Sequence, residues 1–178
     1  PARSRATSGT RTMTPAAGRI WIDDIRFGTN AVAGIAASIR TNYPVTGLFQ
    51  NQTNVSAFAL RLSNAGASNY LRYVGLQNNG TAVNATDIGR LRLYRDVGST
   101  AKFWDATDQY LGDLRWDGSS KYTNHSLVAA GNISGGQNYV VTVDIGASPA
   151  AGRTIVFSIP ANSLSNHLGA AGPSSVVS

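Results

Sequence analysis

The side chains able to do acid–base, nucleophilic or metal chemistry in this 178-residue chain are few: nine Asp, no Glu, two His and no Cys. Hydrolysis by paired carboxylates needs two acids set across the bond to be broken. The close sets are Asp23-Asp24, Asp105 with Asp108, and Asp113 with Asp117. Adjacent Asp residues on a strand point to opposite faces, and the other two sets lie in turn-rich sequence, where Asp ordinarily accepts hydrogen bonds from nearby backbone N–H groups. Around His125 the run Asn124-His125-Ser126 is no nucleophile elbow, His167 is the only other imidazole, and no Gly-rich phosphate loop follows a strand. The lack of Cys removes disulfides, thiolate metal sites and a cysteine nucleophile together. An enzyme is not expected.

Surface recognition is better provided for. Asn-x-Ser/Thr occurs at Asn51, Asn54, Asn79, Asn84, Asn124 and Asn132. These are glycosylation candidates on loops of an exported chain, or simply turn residues crowded together in a β protein. Trp21, Trp104, Trp116, Tyr70, Tyr73, Tyr94, Tyr110 and Tyr122 offer a sugar-stacking platform, although cross-strand and core pairing is the commoner fate of aromatics on strands. Net charge is +6, and the excess sits in the first 40 residues, where Arg3, Arg5, Arg11 and Arg19 lie among Ala, Ser, Thr, Gly and Pro. That composition stays extended until a partner orders it. It lacks the dense Lys/Arg clustering of a genome-binding tail, so nucleic acid is not an expected partner.

The elements that must position these groups read almost wholly as strand and turn. Glu is absent and Lys nearly so, which argues against long exposed helices. Strands are expected at residues 19–27 (RIWIDDIRF), 55–62, 71–76, 88–94, 110–116, 139–145 and 154–159, separated by Asn-Gly, Val-Gly-Ser, Asp-Gly-Ser, Ser-Gly-Gly and Ser-Pro signals. Residues 31–40 are the one stretch with a helical reading, weakened by Gly34 and missing caps. The longest nearly apolar run, residues 31–39, is far short of the roughly 20 needed to cross a bilayer, so no membrane span is expected. The start at Pro1 without an initiator Met fits a processed product, exported after removal of a signal, or a trimmed chain.

Residues 52–62 (QTNVSAFALRL), 76–96 (LQNNGTAVNATDIGRLRLYRD), 104–112 (WDATDQYLG) and 138–160 (NYVVTVDIGASPAAGRTIVFSIP) resemble an immunoglobulin-like β-sandwich module found in tandem in secreted and cell-surface proteins of bacteria. The resemblance covers about residues 51–160 and implies an all-β fold, an immunoglobulin-like antiparallel β-sandwich with an extended N-terminal arm. It also implies an acidic loop similar to a calcium loop, whose matching positions are Asp96, Asp105 and Asp108. Calcium takes about six to eight oxygens, and residues 97–104 (VGSTAKFW) add few. An Asp-closed turn is the other reading of the same residues. No other cofactor is implied.

The organisation expected from this is a basic arm (1–18), a strand-capable segment (19–50), the sandwich (51–164) and a tail or linker (165–178). The expected function is structural and extracellular: a subunit of a self-assembling surface fibre, pilus-like filament or surface layer, whose partners are copies of itself. An exposed sheet edge accepts an extended segment from a neighbour, and Ile20, Ile22, Ile25 and Phe27 would be the donated apolar side chains. The alternative is a carbohydrate-binding or adhesive module of a larger secreted protein, with surface glycans as partners.

Overall fold

The computed structural model describes residues 34–42, 49–65, 69–127 and 132–178, all within the unit Val32–Ser178. Among these residues there is no helix. Ten strands follow in order: β1 (Ala36–Asn42), β2 (Val55–Ser63), β3 (Leu71–Asn78), β4 (Ile88–Arg95), β5 (Gln109–Trp116), β6 (Lys121–Asn124), β7 (Gln137–Ile145), β8 (Phe157–Ser158), β9 (Leu164–Asn166) and β10 (Ala171–Gly172). All pair antiparallel, in the order β1-β2-β7-β4-β5-β6-β3-β9-β10, with β8 on β3.

The centre of one sheet is β7, whose Tyr139, Val140, Val141, Thr142 and Val143 are wholly buried. A run of β-branched residues buried on both faces suits an interior strand, and β2 and β4 flank it. The bend between the two sheets is made by β5: residues up to Leu114 pair with β4, while Arg115 and Trp116 pair with β6. One core fills the interior. Phe58, Leu60, Leu62, Leu91, Leu93, Leu111 and Val141 from one side meet Val74, Leu76, Tyr122, Phe157 and Leu164 from the other. Phe157 joins the two, its ring edge-on to Phe58 at 6.4 Å and to Tyr122 at 6.3 Å.

The two ends of the strand order come back together. Ile35 N–H donates to Ala171 O at 3.2 Å, so the start of β1 meets β10. A chain of buried amides runs beside this seam. Asn69 Nδ2 donates to Asn64 Oδ1 at 2.5 Å, Asn166 Nδ2 donates to Asn69 Oδ1 at 3.3 Å, and Asn64 Nδ2 donates to Gly34 O at 3.3 Å. Asn166 Oδ1 takes Leu168 N–H and Ala170 N–H. All three side chains are buried, at 4% exposure or less, so each must find partners inside the protein.

Three expectations are corrected here. The helical reading of residues 31–40 gives way to β1, which pairs with β2 from Ala36 to Asn42. The tail is no linker: β9 and β10 lie in it, and Val177 exchanges both backbone bonds with Ile159 while packing on the core. The strand expected at 154–159 shrinks to Phe157–Ser158, because its neighbours bridge singly. Of the expected immunoglobulin-like sandwich, the all-β fold and its antiparallel pairing are met. The expected strand at 19–27, with Ile20, Ile22, Ile25 and Phe27, and the arm at 1–18 lie outside the described residues.

Cutting Asn69 to alanine strips a donor from Asn64 and an acceptor from Asn166. Chemical denaturation of Asn69→Ala is expected to show a loss of about 2 kcal/mol, the scale of leaving buried polar groups unsatisfied. A loss no larger than that of an exposed Asn→Ala change would mean that the seam does not depend on this amide.

Candidate functional site

The three acidic residues singled out for calcium sit in the β4–β5 connection and close it. Asp108 accepts Val97 N–H at 3.0 Å and Gly98 N–H at 2.8 Å on one oxygen and Asp105 N–H at 3.0 Å on the other. Asp105 accepts Thr107 Oγ1–H at 2.5 Å, Thr107 N–H at 2.9 Å and Thr100 N–H at 3.0 Å. Asp96 is ion-paired with Arg40 and accepts Lys102 N–H at 3.0 Å. Oxygens aimed at N–H donors and a guanidinium are turned away from a cation, and among the described residues no group of three His, Asp or Glu side chains is arranged to hold one. The acidic spacing belongs to a backbone clamp, the second of the two readings its sequence allowed. The Thr107 hydroxyl, with backbone N–H donors, holds the Asp105 carboxyl down at about 2.

The clamped connection reaches over the outer face of the first sheet. Trp104 N–H donates to Ser56 Oγ at 2.9 Å. The Trp104 ring lies 6.0 Å from Tyr94, and Tyr94 lies 5.6 Å from Tyr110. Beside them Arg92 grips Asp144 through two contacts, at 2.8 and 2.5 Å, and donates to Asn54 Oδ1 at 2.6 Å. Ion pairs with two parallel N–H···O bonds are the geometrically fixed kind. This part of the face is knitted shut.

Further along β5 the surface opens. A groove of about 490 Å³ is lined by Tyr110, Asp113, Arg115, Thr123, Asn124, His125 and Ser126. Tyr110, 46% exposed, forms one side. Its hydroxyl donates to Asp113 Oδ1 at 2.9 Å, and Arg90 holds both oxygens of the same carboxylate at 2.9 Å each. Burial would raise the Asp113 carboxyl; Arg90 and Tyr110 outweigh it, and the group lies below its ordinary value. Burial, then Asp113, pushes the Tyr110 hydroxyl up. Asn124 makes the floor, donating to Asp113 O at 2.8 Å and accepting Ser126 N–H at 2.6 Å. Gly112 makes room for it: at φ +151° a Cβ would stand 2.6 Å from Asn124 Nδ2. His125 is stacked on Tyr73, with ring centres 4.5 Å apart.

The structure thus divides the aromatic set that sequence grouped together. Trp104, Tyr94 and Tyr110 share the outer face, Tyr122 belongs to the core with Trp116 packed on it at 5.1 Å, and Tyr70 pairs with His167. Trp21 and the Asp23-Asp24 pair lie outside the described residues. Asp113 and Asp117 are engaged separately, the second accepting N–H bonds from Ser119, Ser120 and Lys121 in its own turn. Of the glycosylation candidates, Asn51 and Asn132 are exposed, Asn54 is tied to Arg92, and Asn84 is half-buried. The Asn79 and Asn124 amide nitrogens, where a glycan would attach, already donate to Ser158 Oγ and Asp113 O. At Asn124 and Asn132 the Ser two residues on donates its N–H to the Asn oxygen, which is an Asx turn. The roles of Arg90 and Arg115 escaped sequence reasoning because nothing local distinguishes them from other strand Arg residues. Comparison with known proteins finds no matching family model, no similar curated protein and no similar solved structure.

Carbon-detected NMR is expected to show Asp105 titrating near 2, against about 4 for a free Asp. A depressed folded-state value means that its stabilising contribution is complete above about pH 4 and fades as pH falls through about 2. Thr107→Val removes the hydroxyl donor and is expected to raise the Asp105 value; an unshifted value would show that the clamp is not closed this way.

Proposed function

We propose that this unit is a glycan-binding module of a secreted or cell-surface protein, with its site in the Tyr110 groove. The observation that carries this reading is the Tyr110 ring itself, exposed and yet fixed through its hydroxyl to an Asp113 carboxylate that Arg90 in turn clamps. A rigid aromatic face loses little entropy on contact and suits the apolar C–H face of a sugar. Thr123, His125 and Ser126 stand beside it with polar groups for hydroxyls. The all-β frame accords with an extracellular module, and its immunoglobulin-like character would lie in the orders β1-β2-β7-β4 and β3-β9-β10, which run as A-B-E-D and C-F-G do.

Retention on immobilised polysaccharides or isothermal titration tests the reading. Tyr110→Ala is expected to weaken binding at least about tenfold, equal to about 1.4 kcal/mol, while Leu168→Ala, also exposed but elsewhere, leaves it unchanged. If no polysaccharide is bound, or both variants behave alike, the groove is not a glycan site.

Self-assembly by strand addition is a second reading, favoured by one feature. Beyond the single Ile35–Ala171 contact, the outer edge of β1 has no ladder partner among the described residues, and such an edge accepts a strand. The donor would be residues 19–27. The full chain is then expected to form polymers under negative-stain microscopy, and removing residues 1–28 to leave a folded monomer that forms none; a full chain without polymers, or polymers that persist unchanged after the deletion, would end this reading.

A further inference from the structure

We propose that the groove takes an acidic glycan and that Arg115 receives its carboxylate, an inference that rests on the glycan-binding reading above. Among the described residues every other Arg side chain except Arg72 is engaged. Arg40, Arg90 and Arg92 are paired with Asp96, Asp113 and Asp144, and Arg153 approaches Asp87. Arg61 donates to Gly135 O and Asn138, and Arg95 to Gln109. Arg115 lines the groove, is exposed, and has no hydrogen bond or ion pair to its guanidinium among the described residues.

The one carboxylate in the groove is no substitute partner. Both Asp113 oxygens are taken by Arg90, and one also by Tyr110. Arg90 and Asp113 cancel, which leaves Arg115 as the uncompensated charge of a groove otherwise lined by Tyr, Thr, Asn, His and Ser. A planar guanidinium with free donors matches a carboxylate through two parallel bonds, and the net charge of +6 favours approach of a polyanion. Tyr110 and Arg115 are five residues apart on β5, roughly 16 Å at about 3.3 Å per residue. An oligomer that stacks on the ring and extends along the strand reaches both.

Isothermal titration at low and moderate salt with oligogalacturonate, oligomannuronate and their methyl esters is the test, because esterification removes charge while keeping the sugar. At least one free acid is expected to bind about tenfold more tightly than its ester. Arg115→Gln is expected to erase that difference, and Arg72→Gln, exposed on β3 outside the groove, to preserve it. Acids and esters binding equally, still dependent on Tyr110, would overturn the acidic preference and leave the glycan site standing. Equal losses from Arg72→Gln and Arg115→Gln, or equal binding of a single-stranded oligonucleotide, would show diffuse attraction to polyanions and overturn the proposal. Binding of none of these probes, nor of any neutral polysaccharide, would remove both readings.

Discussion

A row of buried amides does what the hydrophobic core cannot do for this fold. Apolar contact is non-directional, so it gathers the two sheets without deciding where their margins meet. The Asn64–Asn69–Asn166 chain decides it, because every donor and acceptor buried there must be paired. One end holds Gly34 O at the entry to β1, and the other takes the N–H groups of Leu168 and Ala170 just before β10. Close approach at this margin is matched by Gly172, where any Cβ would stand 2.0 Å from Ile35 O. With the margins fixed, Phe157 can lie between Phe58 and Tyr122, and the last fifteen residues become part of the sheet.

The acidic residues show the same economy at the surface. Each described Asp has at least one oxygen taken by particular donors: backbone N–H groups at Asp87, Asp105, Asp108 and Asp117, and guanidinium groups at Asp96, Asp113 and Asp144. Asp87 is the most buried of them, at 1% exposure, and it ties the loop before β4 to the loop after β7 through Val83 and Ala150 N–H. Carboxylates used in this way hold loops. That leaves the outer face of β5, where the Asp113 pairing is complete and Arg115 stands outside it, as the place where charge and an exposed ring meet.

Much of this was legible locally. Period-two alternation and β-branched runs located β2, β3, β4, β5 and β7 to within a residue or two, since side chains on a strand alternate between faces whatever the partner strand is. The hairpin strand β6 was hidden because its four residues, KYTN, are too short and polar to show a period, although the Asp117-Gly118 turn before it was visible. β9 and β10 were hidden for the same reason, their Ser, Asn and Gly content reading as a linker.

The sequence by itself determined an all-β chain without thiols, its strand positions, and an Asp spacing that means either an ion site or a clamp. Only tertiary structure chose the clamp, put β7 between β2 and β4, and brought Asn166 to Asn69 across 97 residues. It also made Arg90 a clamp and left Arg115 unpaired, two arginines on neighbouring strands with nothing in their local sequence to separate them. The physical reason is common to all of these: strand periodicity is written in adjacent residues, whereas pairing partners, satisfied amides and spare charges depend on groups that meet only when distant segments pack.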